Sequence, residues 1–359
     1  MAQPIIYLAV TGHGFGHAVR VACVANQVQK LCPEALLILA TRSPRWLLEG
    51  YIAGDFIHRS CVLDVGVIQA DSLRMDREAT QAKMTEIYAH QSRLVANEVN
   101  YLRNNRVNLV LADIPALAVP IAHRAGVPCW MMSNFGWNFI YQEWGKSFEE
   151  IVNQIERDYQ QCDRLFRLPL AEPMSVFPVK TEVGLTGGDP RYPAQVLREK
   201  FHLTQLQEKT ILLTFGGLGL QAIPYQNLDC FPDYQFITFD GQAPDLPNLV
   251  KVQDYHYRPV DFMPLCDRVF SKPGYSTFAE ALRLEIPLVS LTRDGFAEAA
   301  ILLDGLQDYG YHQIVPEADF FNGAWEFLRE SPLPPRQAQT LPKDGAEAIA
   351  QAILEQVAT

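Results

Sequence analysis

The sequence predicts an α/β protein built as two parallel-sheet halves, and three observations carry that expectation. Apolar runs of strand length alternate with helical segments along the chain, the pattern of βαβ units. The rhythm breaks once, in a Pro/Gly-rich passage from Pro169 to Pro193 that holds Pro173, Pro178, Gly187, Gly188 and Pro190. A length of 359 residues, at a prior of roughly 150 per domain, suits two hydrophobic cores.

The elements follow in order. Ile5–Val10, Leu36–Thr41, Val107–Ala112 and Cys129–Met132 read as strands of a first sheet. Between them, Ala18–Leu31 places Val21, Val24, Val28 and Leu31 on one helical stripe, and Ser72–Asn104 reads as a long charged helix. After the Pro/Gly-rich passage come Thr210–Phe215, Tyr234–Phe239, Asn248–Val252, Asp267–Ser271 and Ile286–Leu291, a second set of strands. Ala346–Val357 closes the chain as an amphipathic helix able to dock back. The expected division is 1–168 for the first domain, 169–208 for a connection, 209–340 for the second domain and 341–359 for the returning helix.

Composition narrows the function. Against 30 Lys and Arg stand 41 Asp and Glu, a net charge of −11, which disfavours nucleic acid as a partner. A small anion is still compatible, because exposed charges are screened within about 8 Å at physiological salt. Seven scattered cysteines without CxxC spacing read as reduced thiols of a cytoplasmic protein and not as a disulfide or zinc framework. The apolar stretch Leu109–Ala122 is broken by Asp113, Pro115 and Pro120, so it reads as strand and turn and no integral membrane segment is expected.

Four segments at strand ends carry the chemistry. The first is Thr11-Gly-His-Gly-Phe-Gly-His17, whose glycines allow a tight turn and whose following helix offers unpaired N–H groups to an anion or a reacting oxygen. A dinucleotide fingerprint would need glycine where His17 stands and an acid where Thr41 and Arg42 stand. An NADP-linked dehydrogenase built on this loop and Arg42 is thereby weakened. His17 lies where the positive end of a helix dipole disfavours protonation and leaves imidazole available as a base. The second segment is Phe215-Gly216-Gly217, with backbone N–H groups suited to phosphate. The third is Ser271-Lys-Pro-Gly-Tyr-Ser-Thr-Phe-Ala-Glu280. Here Lys272 supplies a cation, Ser276 and Thr277 can cap the helix or bond phosphate, and Glu280 can chelate ribose hydroxyls or simply be solvated. The fourth, after the strand Ile286–Leu291, holds Arg293, Asp294 and Glu298, with carboxylates suited to sugar hydroxyls. Ligands of open α/β sheets bind outside the carboxyl ends of the strands, so a cleft between two domains is the economical expectation. No Asp-x-Asp pair occurs, and the Gly-Lys-Ser at 145–147 has Ile140 where a P-loop needs its first glycine.

These segments resemble the GT-B glycosyltransferases, particularly the MurG-like group, and more closely the glycosyltransferase-like half of plant L-arabinokinases. VTGHGFGHAVR, GVIQADSLRMDR, SNFGWNFIY, FRLPLAEPM, the FGG turn and SKPGYSTFAEAL carry the resemblance in the same order over most of the chain. It implies an α/β GT-B fold of two facing Rossmann-like domains with a C-terminal crossover helix. It implies acceptor binding in the first domain, with His17 as base, and nucleotide-sugar in the second.

By the same resemblance Arg191 of GGDPR, Gly216 and Gly217, and Gly274, Tyr275, Ser276, Thr277 and Glu280 face the donor, and the residues' own chemistry adds Gly14, Gly16, Lys272, Asp294 and Glu298 to that side. His13, Asp71, Asp113, Asn134 and Trp137 fall on the acceptor side. The chain departs from the family after the fourth strand segment, where Glu298, Ala299 and Ala300 stand in place of glutamines that commonly hold the donor sugar. The expected activity is a metal-independent, inverting transfer from a nucleotide-diphosphate sugar to a small-molecule or lipid-linked hydroxyl, with no cofactor. The alternative is a silent nucleotide-sugar-binding or regulatory module.

Overall fold

A computed structural model describes residues 3–69, 73–216 and 219–358. Asp71 and Gly217, both candidates above, lie outside the described residues. Contacts divide the chain into two units, the first within 1–70, 75–186 and 342–359, the second within 71–74 and 187–341.

The first unit follows the order β1 (Ile5–Val10), α1 (Gly14–Leu31), β2 (Leu36–Ala40), α2 (Arg45–Tyr51), β3 (Ile57–Arg59), α3 (Arg77–Asn104) and β4 (Leu109–Asp113). It continues through α4 (Ala118–Ala125), β5 (Cys129–Ser133), α5 (Trp137–Gln142), α6 (Glu149–Tyr159), β6 (Arg164–Arg167) and β7 (Lys180–Glu182). Among the described residues these strands form one sheet in the order β3-β2-β1-β4-β5-β6-β7, and every pairing is parallel. Parallel strands are covered on both faces, so the inner ones are apolar almost throughout: Ile6 to Ala9 and Leu109 to Ala112 are essentially inaccessible.

The second unit contains α7 (Ala194–Lys200), β8 (Thr210–Thr214), β9 (Gln235–Thr238), β10 (Leu249–Lys251), α8 (Pro259–Phe262), β11 (Arg268–Ser271) and α9 (Tyr275–Leu284). After these come β12 (Leu288–Leu291), α10 (Ala297–Tyr309), β13 (His312–Val315) and α11 (Glu317–Asn322). Its sheet is also parallel, in the order β10-β9-β8-β11-β12-β13. Phe215, Phe270, Phe320 and Trp325 form an aromatic core on one face.

The structure corrects the expected connection and the start of α3, and it places the returning helix. The segment 169–208 is not a separate connection. Its β7 pairs with β6, and Glu172 N–H donates to the Asn134 carbonyl, so residues through Thr186 belong to the first unit. Proline and glycine there mark turns whose backbone groups are used locally. The final helix α12 (Gly345–Val357) packs on α1 within the first unit through Ala346, Ile349, Ala350 and Ile353, and Gln27 donates to Glu347 at 2.9 Å. Helix α3 starts at Arg77, because Asp76 accepts from Ala79 N–H and caps it.

Candidate functional site

Each sheet has one point where strand order reverses, and in open α/β sheets ligands bind outside the strand ends at that point. In the first unit it lies between β1 and β4. β1 runs into the glycine turn and α1, while Asp113 is the last residue of β4. Gly14 has φ of +68°, a left-handed conformation natural to glycine, and a Cβ on Gly12 or Gly14 would meet nothing within 4 Å. His13, at the helix cap position, makes no side-chain cap bond.

Behind this open turn sits a dense polar cluster. His17 and Arg20 are three residues apart on α1 and therefore share a face. Their exposures are 7% and 1%, and Asp113 is 0% exposed. Arg20 grips Asp113 with two bonds, Nε to Oδ2 and Nη2 to Oδ1, each 2.6 Å. It also donates from Nη1 to Asn134 Oδ1 at 2.6 Å and from Nη2 to Ser133 Oγ at 2.9 Å. His17 Nδ1 lies 3.1 Å from Asp113 Oδ1. Burial pushes the Asp113 carboxyl upward, but the charge and hydrogen bonds of Arg20 and His17 prevail and hold it below its usual value.

A second carboxylate stands close by. Asp64 accepts from Thr11 Oγ1 and from Trp137 Nε1, both at 2.8 Å, and burial pushes it up to about 6 against those two bonds. Rings close the surroundings: Phe135 and Trp137 lie 5.7 and 6.2 Å from the His17 ring, and His13 packs edge-on to Trp137 at 5.2 Å. A cavity of about 390 Å³ elsewhere in this unit is lined by Asn138, Glu156 and Glu172 among others, and contains none of the predicted site residues.

In the second unit strand order reverses between β8 and β11. β8 leads to Gly216, which is exposed and has φ of +85°. β11 leads through Ser271 and Lys272 to Gly274, which begins α9 without a side-chain cap bond. A Cβ on Gly274 would approach only the Lys272 carbonyl, at 3.9 Å. Ser271 is 1% exposed, and its Oγ has no hydrogen-bond partner among the described residues. Burial, reinforced by the charge of Arg293, pushes the Lys272 ammonium down to about 7 against the pull of Glu298. Tyr275 and Ser276 are buried in the first turn of α9, and Thr277 is half-buried.

The predicted residues thus fall into distinct groups. His17, Asp113 and Asn134 meet in one cluster, whereas Trp137 is buried and braces Asp64. His13 keeps Nδ1 at 3.2 Å from Val67 N. Gly216, Lys272, Gly274, Tyr275, Ser276 and Thr277 gather at the second reversal. Asp294 is exposed beyond β12, and Glu298 is buried in the first turn of α10.

Arg191 and Glu280 have partners within their own unit. Arg191 bonds the His256 carbonyl and reaches Asp261 at 3.5 Å. Glu280 Oε1 accepts from Gly188 N–H at 3.1 Å, and a Cβ on Gly187 would fall 2.9 Å from the Glu280 side chain. Both side chains hold the Gly187–Arg191 loop in place, together with Arg283, which donates to the carbonyls of Gly187 and Gly188.

Sequence reasoning missed Arg20, Ser133 and Asp64. Arg20 alone left a signal, an arginine one turn after His17 on a helix stripe otherwise filled by valine and alanine.

No protein-family model matches the chain. Over 326 residues, 88% of the chain, it is 29% identical to L-arabinokinase of Arabidopsis thaliana, and it spans about a third of that protein's length, 31%. Among solved structures it is similar to the Arabidopsis thaliana protein UGT89C1 complexed with UDP, with a TM-score of 0.61, 14% identity, and 99% and 94% of the two chains covered. It is also similar to a UDP-glucosyltransferase of Polygonum tinctorium, with a TM-score of 0.58, 12% identity, and 100% and 94% covered. SnogD, a glycosyltransferase of Streptomyces nogalater, aligns with a TM-score of 0.56, 14% identity, and 100% and 95% covered. The chain has the GT-B fold. The two parallel sheets of a GT-B protein account for the two reversal points, one in each unit. Among the described residues of this GT-B chain, no helix is long and apolar enough to cross a membrane. No group of three or more His, Cys, Asp or Glu side chains there is arranged to hold a metal ion.

Proposed function

We propose that the protein is a glycosyltransferase that takes a nucleotide-diphosphate sugar as donor and inverts the sugar's anomeric centre. The observation that carries this reading is the His17–Asp113 pair at the β1/β4 reversal, behind a glycine turn with open space above it. A base within reach of an acceptor hydroxyl typically accelerates transfer by about 10² to 10⁴. The acceptor oxygen bonds to the anomeric carbon as its proton passes to His17 and the bond from that carbon to the diphosphate breaks. The electron pair of the broken bond leaves with the nucleoside diphosphate.

The second unit supplies what a departing diphosphate needs. Gly216, Ser271, Lys272 and the N-terminus of α9 follow β8 and β11 at one reversal point. Donors of this kind, preorganised where charge develops, can stabilise a leaving group without a metal. Each helix-dipole contact contributes only about 0.3 to 1 kcal/mol when exposed, so the proposal needs several of them together. The acceptor is a hydroxyl-bearing small molecule or lipid-linked sugar. The kinase activity in the arabinokinase name is not part of this proposal, since the chain matches 31% of that protein.

A second reading, a nucleotide-sugar sensor without turnover, is favoured by one observation: Glu298, Ala299 and Ala300 stand where the resembling enzymes commonly carry glutamines. Incubation with a panel of nucleotide-diphosphate sugars, followed by chromatography of the released nucleotide, separates the two. Release by the wild-type chain that vanishes in His17→Ala supports the transferase. Saturable binding with no release from any donor supports the sensor.

A further inference from the structure

We infer that the free edge of β7 is a pairing surface for a second copy of this chain, the two strands meeting antiparallel about a twofold axis beside Thr181. Strand addition of this kind joins the same patch of both partners. It is independent of the transfer reading. Among the described residues the two sheets end on the edge strands β3, β7, β10 and β13. β13 is already covered, since His312 exchanges backbone bonds with Leu333. β3 and β10 read Ile-His-Arg and Leu-Val-Lys. About their own centres they would set Ile57 against Arg59 and Leu249 against Lys251, with no opposite charge to meet either cation. β7 reads Lys180-Thr181-Glu182, all three exposed, and Val179 before it is exposed as well.

The ladder to β6 fixes which backbone groups look outward. Leu165 N–H donates to the Val179 carbonyl at 2.8 Å, and Val183 N–H donates to the Arg167 carbonyl at 3.2 Å. Successive residues of a strand address alternate edges, so residues 179, 181 and 183 face β6 and the N–H and C=O groups of Lys180 and Glu182 face the free edge. An antiparallel copy centred on Thr181 sets Lys180 opposite Glu182 and Glu182 opposite Lys180. Each pair then exchanges two backbone bonds, while Thr181 meets its own copy in the pair without them. Backbone parity and charge thus agree in one register. Centring on Lys180 or on Glu182 would instead put like charges face to face, which destabilises a cross-strand pair. Lys180 and Glu182 share a face of the sheet, and Arg167 Nη1 reaches Glu182 at 3.1 Å. Glu182 would therefore lie between Arg167 of its own sheet and Lys180 of the second copy. Lysine on an edge ordinarily deters pairing; this register gives it a carboxylate. Lys180 Nζ donates to the Pro173 carbonyl at 3.1 Å, which leaves the ammonium further hydrogens to offer.

Light-scattering mass of the full chain tests the contact, with concentration reaching about 0.5 mM, near the weak end of the affinity scale. The wild type should rise from 40.5 kDa toward twice that mass, and less so in high salt. Lys180→Glu and Glu182→Lys each set like charges opposite one another and should weaken the dimer by about tenfold. Mixed together, these two variants should pair with each other better than either pairs with itself, because each cross-strand position then holds opposite charges. Lys180→Pro removes an outward N–H and spares the bonds to β6, a change that an edge strand tolerates. It should abolish association.

A wild-type mass that stays at 40.5 kDa throughout overturns the inference, as does growth beyond a dimer, which this closed contact forbids. A dimer that a folded Lys180→Pro chain leaves intact overturns it too, and so do single variants that associate as the wild type does. Should Lys180→Pro fail to fold by circular dichroism, the mixing experiment decides.

Discussion

The two reversal points are built on opposite plans. In the first unit the polar groups beside the turn are paired with one another: Arg20 with Asp113, Ser133 and Asn134, His17 with Asp113, and Asp64 with Thr11 and Trp137. In the second, Ser271 Oγ lacks a partner among the described residues, Gly274 has room beside it and α9 begins uncapped. The contrast separates proton chemistry, which needs a base held in one orientation, from anion binding, which needs donors left available for an incoming group. Mutations should therefore damage the first point through geometry and folding, and the second through ligand affinity.

The largest effect belongs to His17. Its replacement by alanine should lower transfer by about 10² to 10⁴ while leaving the dissociation constant for nucleoside diphosphate nearly unchanged in calorimetry. Equal losses in both quantities would erase the division of labour. Asp113→Ala should come next, and chiefly in stability. It leaves the Arg20 guanidinium buried without its carboxylate, and removing one partner of a buried pair costs about 3 to 5 kcal/mol. Urea denaturation measures this. A loss under 1 kcal/mol would show that the cluster opens to water.

How much of this contrast was legible in the sequence depends on whether a residue's role is local. The glycine turns, Lys272 and the inner strands were legible, because a tight turn and a continuous apolar run are fixed by neighbours in the chain. Strand β6 was not, since Arg164 and Arg167 interrupt its apolar pair Leu165 and Phe166, and Arg164 is accommodated by lying over the Trp130 ring at 4.9 Å. Strands β3 and β7 are three-residue edges with polar side chains. The Arg20 cluster joins residues 93 and 114 positions apart, a pairing that no local pattern encodes. Arg191 and Glu280 were located, but their partners within the chain were not. The family motif gives their positions, whereas their bonds to His256, Asp261 and Gly188 arise from how α8 and α9 pack beside the Gly187–Arg191 loop.

Asp64 sharpens the comparison through pH. An unfolded chain releases this proton near ~3.9, whereas the folded protein keeps it until about 6. Between those values the folded state binds more protons, so stability falls as pH rises, by on the order of 2 to 3 kcal/mol for this group. Asp158, which burial also pushes up to about 6 against Gln154 and Arg157, adds a slope of the same sign. Urea midpoints taken from pH 4 to 6.5 should therefore decline in the wild type and decline less steeply in Asp64→Asn. Parallel slopes in the two proteins would place the Asp64 carboxylate in water.

Lys272 tests the open site, with a smaller expected effect. Its ammonium is pushed down to about 7, so near pH 8 most of the free protein carries a neutral amine there. A bound diphosphate favours the charged form, and binding above pH 7 should take up a proton, visible as a calorimetric enthalpy that depends on the buffer. Affinity should weaken as pH rises through 7. Lys272→Met should abolish proton uptake and cost about 1.5 kcal/mol of nucleotide binding at pH 6, typical of a hydrogen bond to a charged group and roughly tenfold in affinity. Arg191→Ala is the control. That side chain is already engaged with Asp261 and the His256 carbonyl and is 36% exposed, so its loss should change affinity by less than Lys272→Met does. The reverse order would mean that Arg191 leaves its loop to meet the phosphates and that the second reversal point is closed by movement, not open from the start.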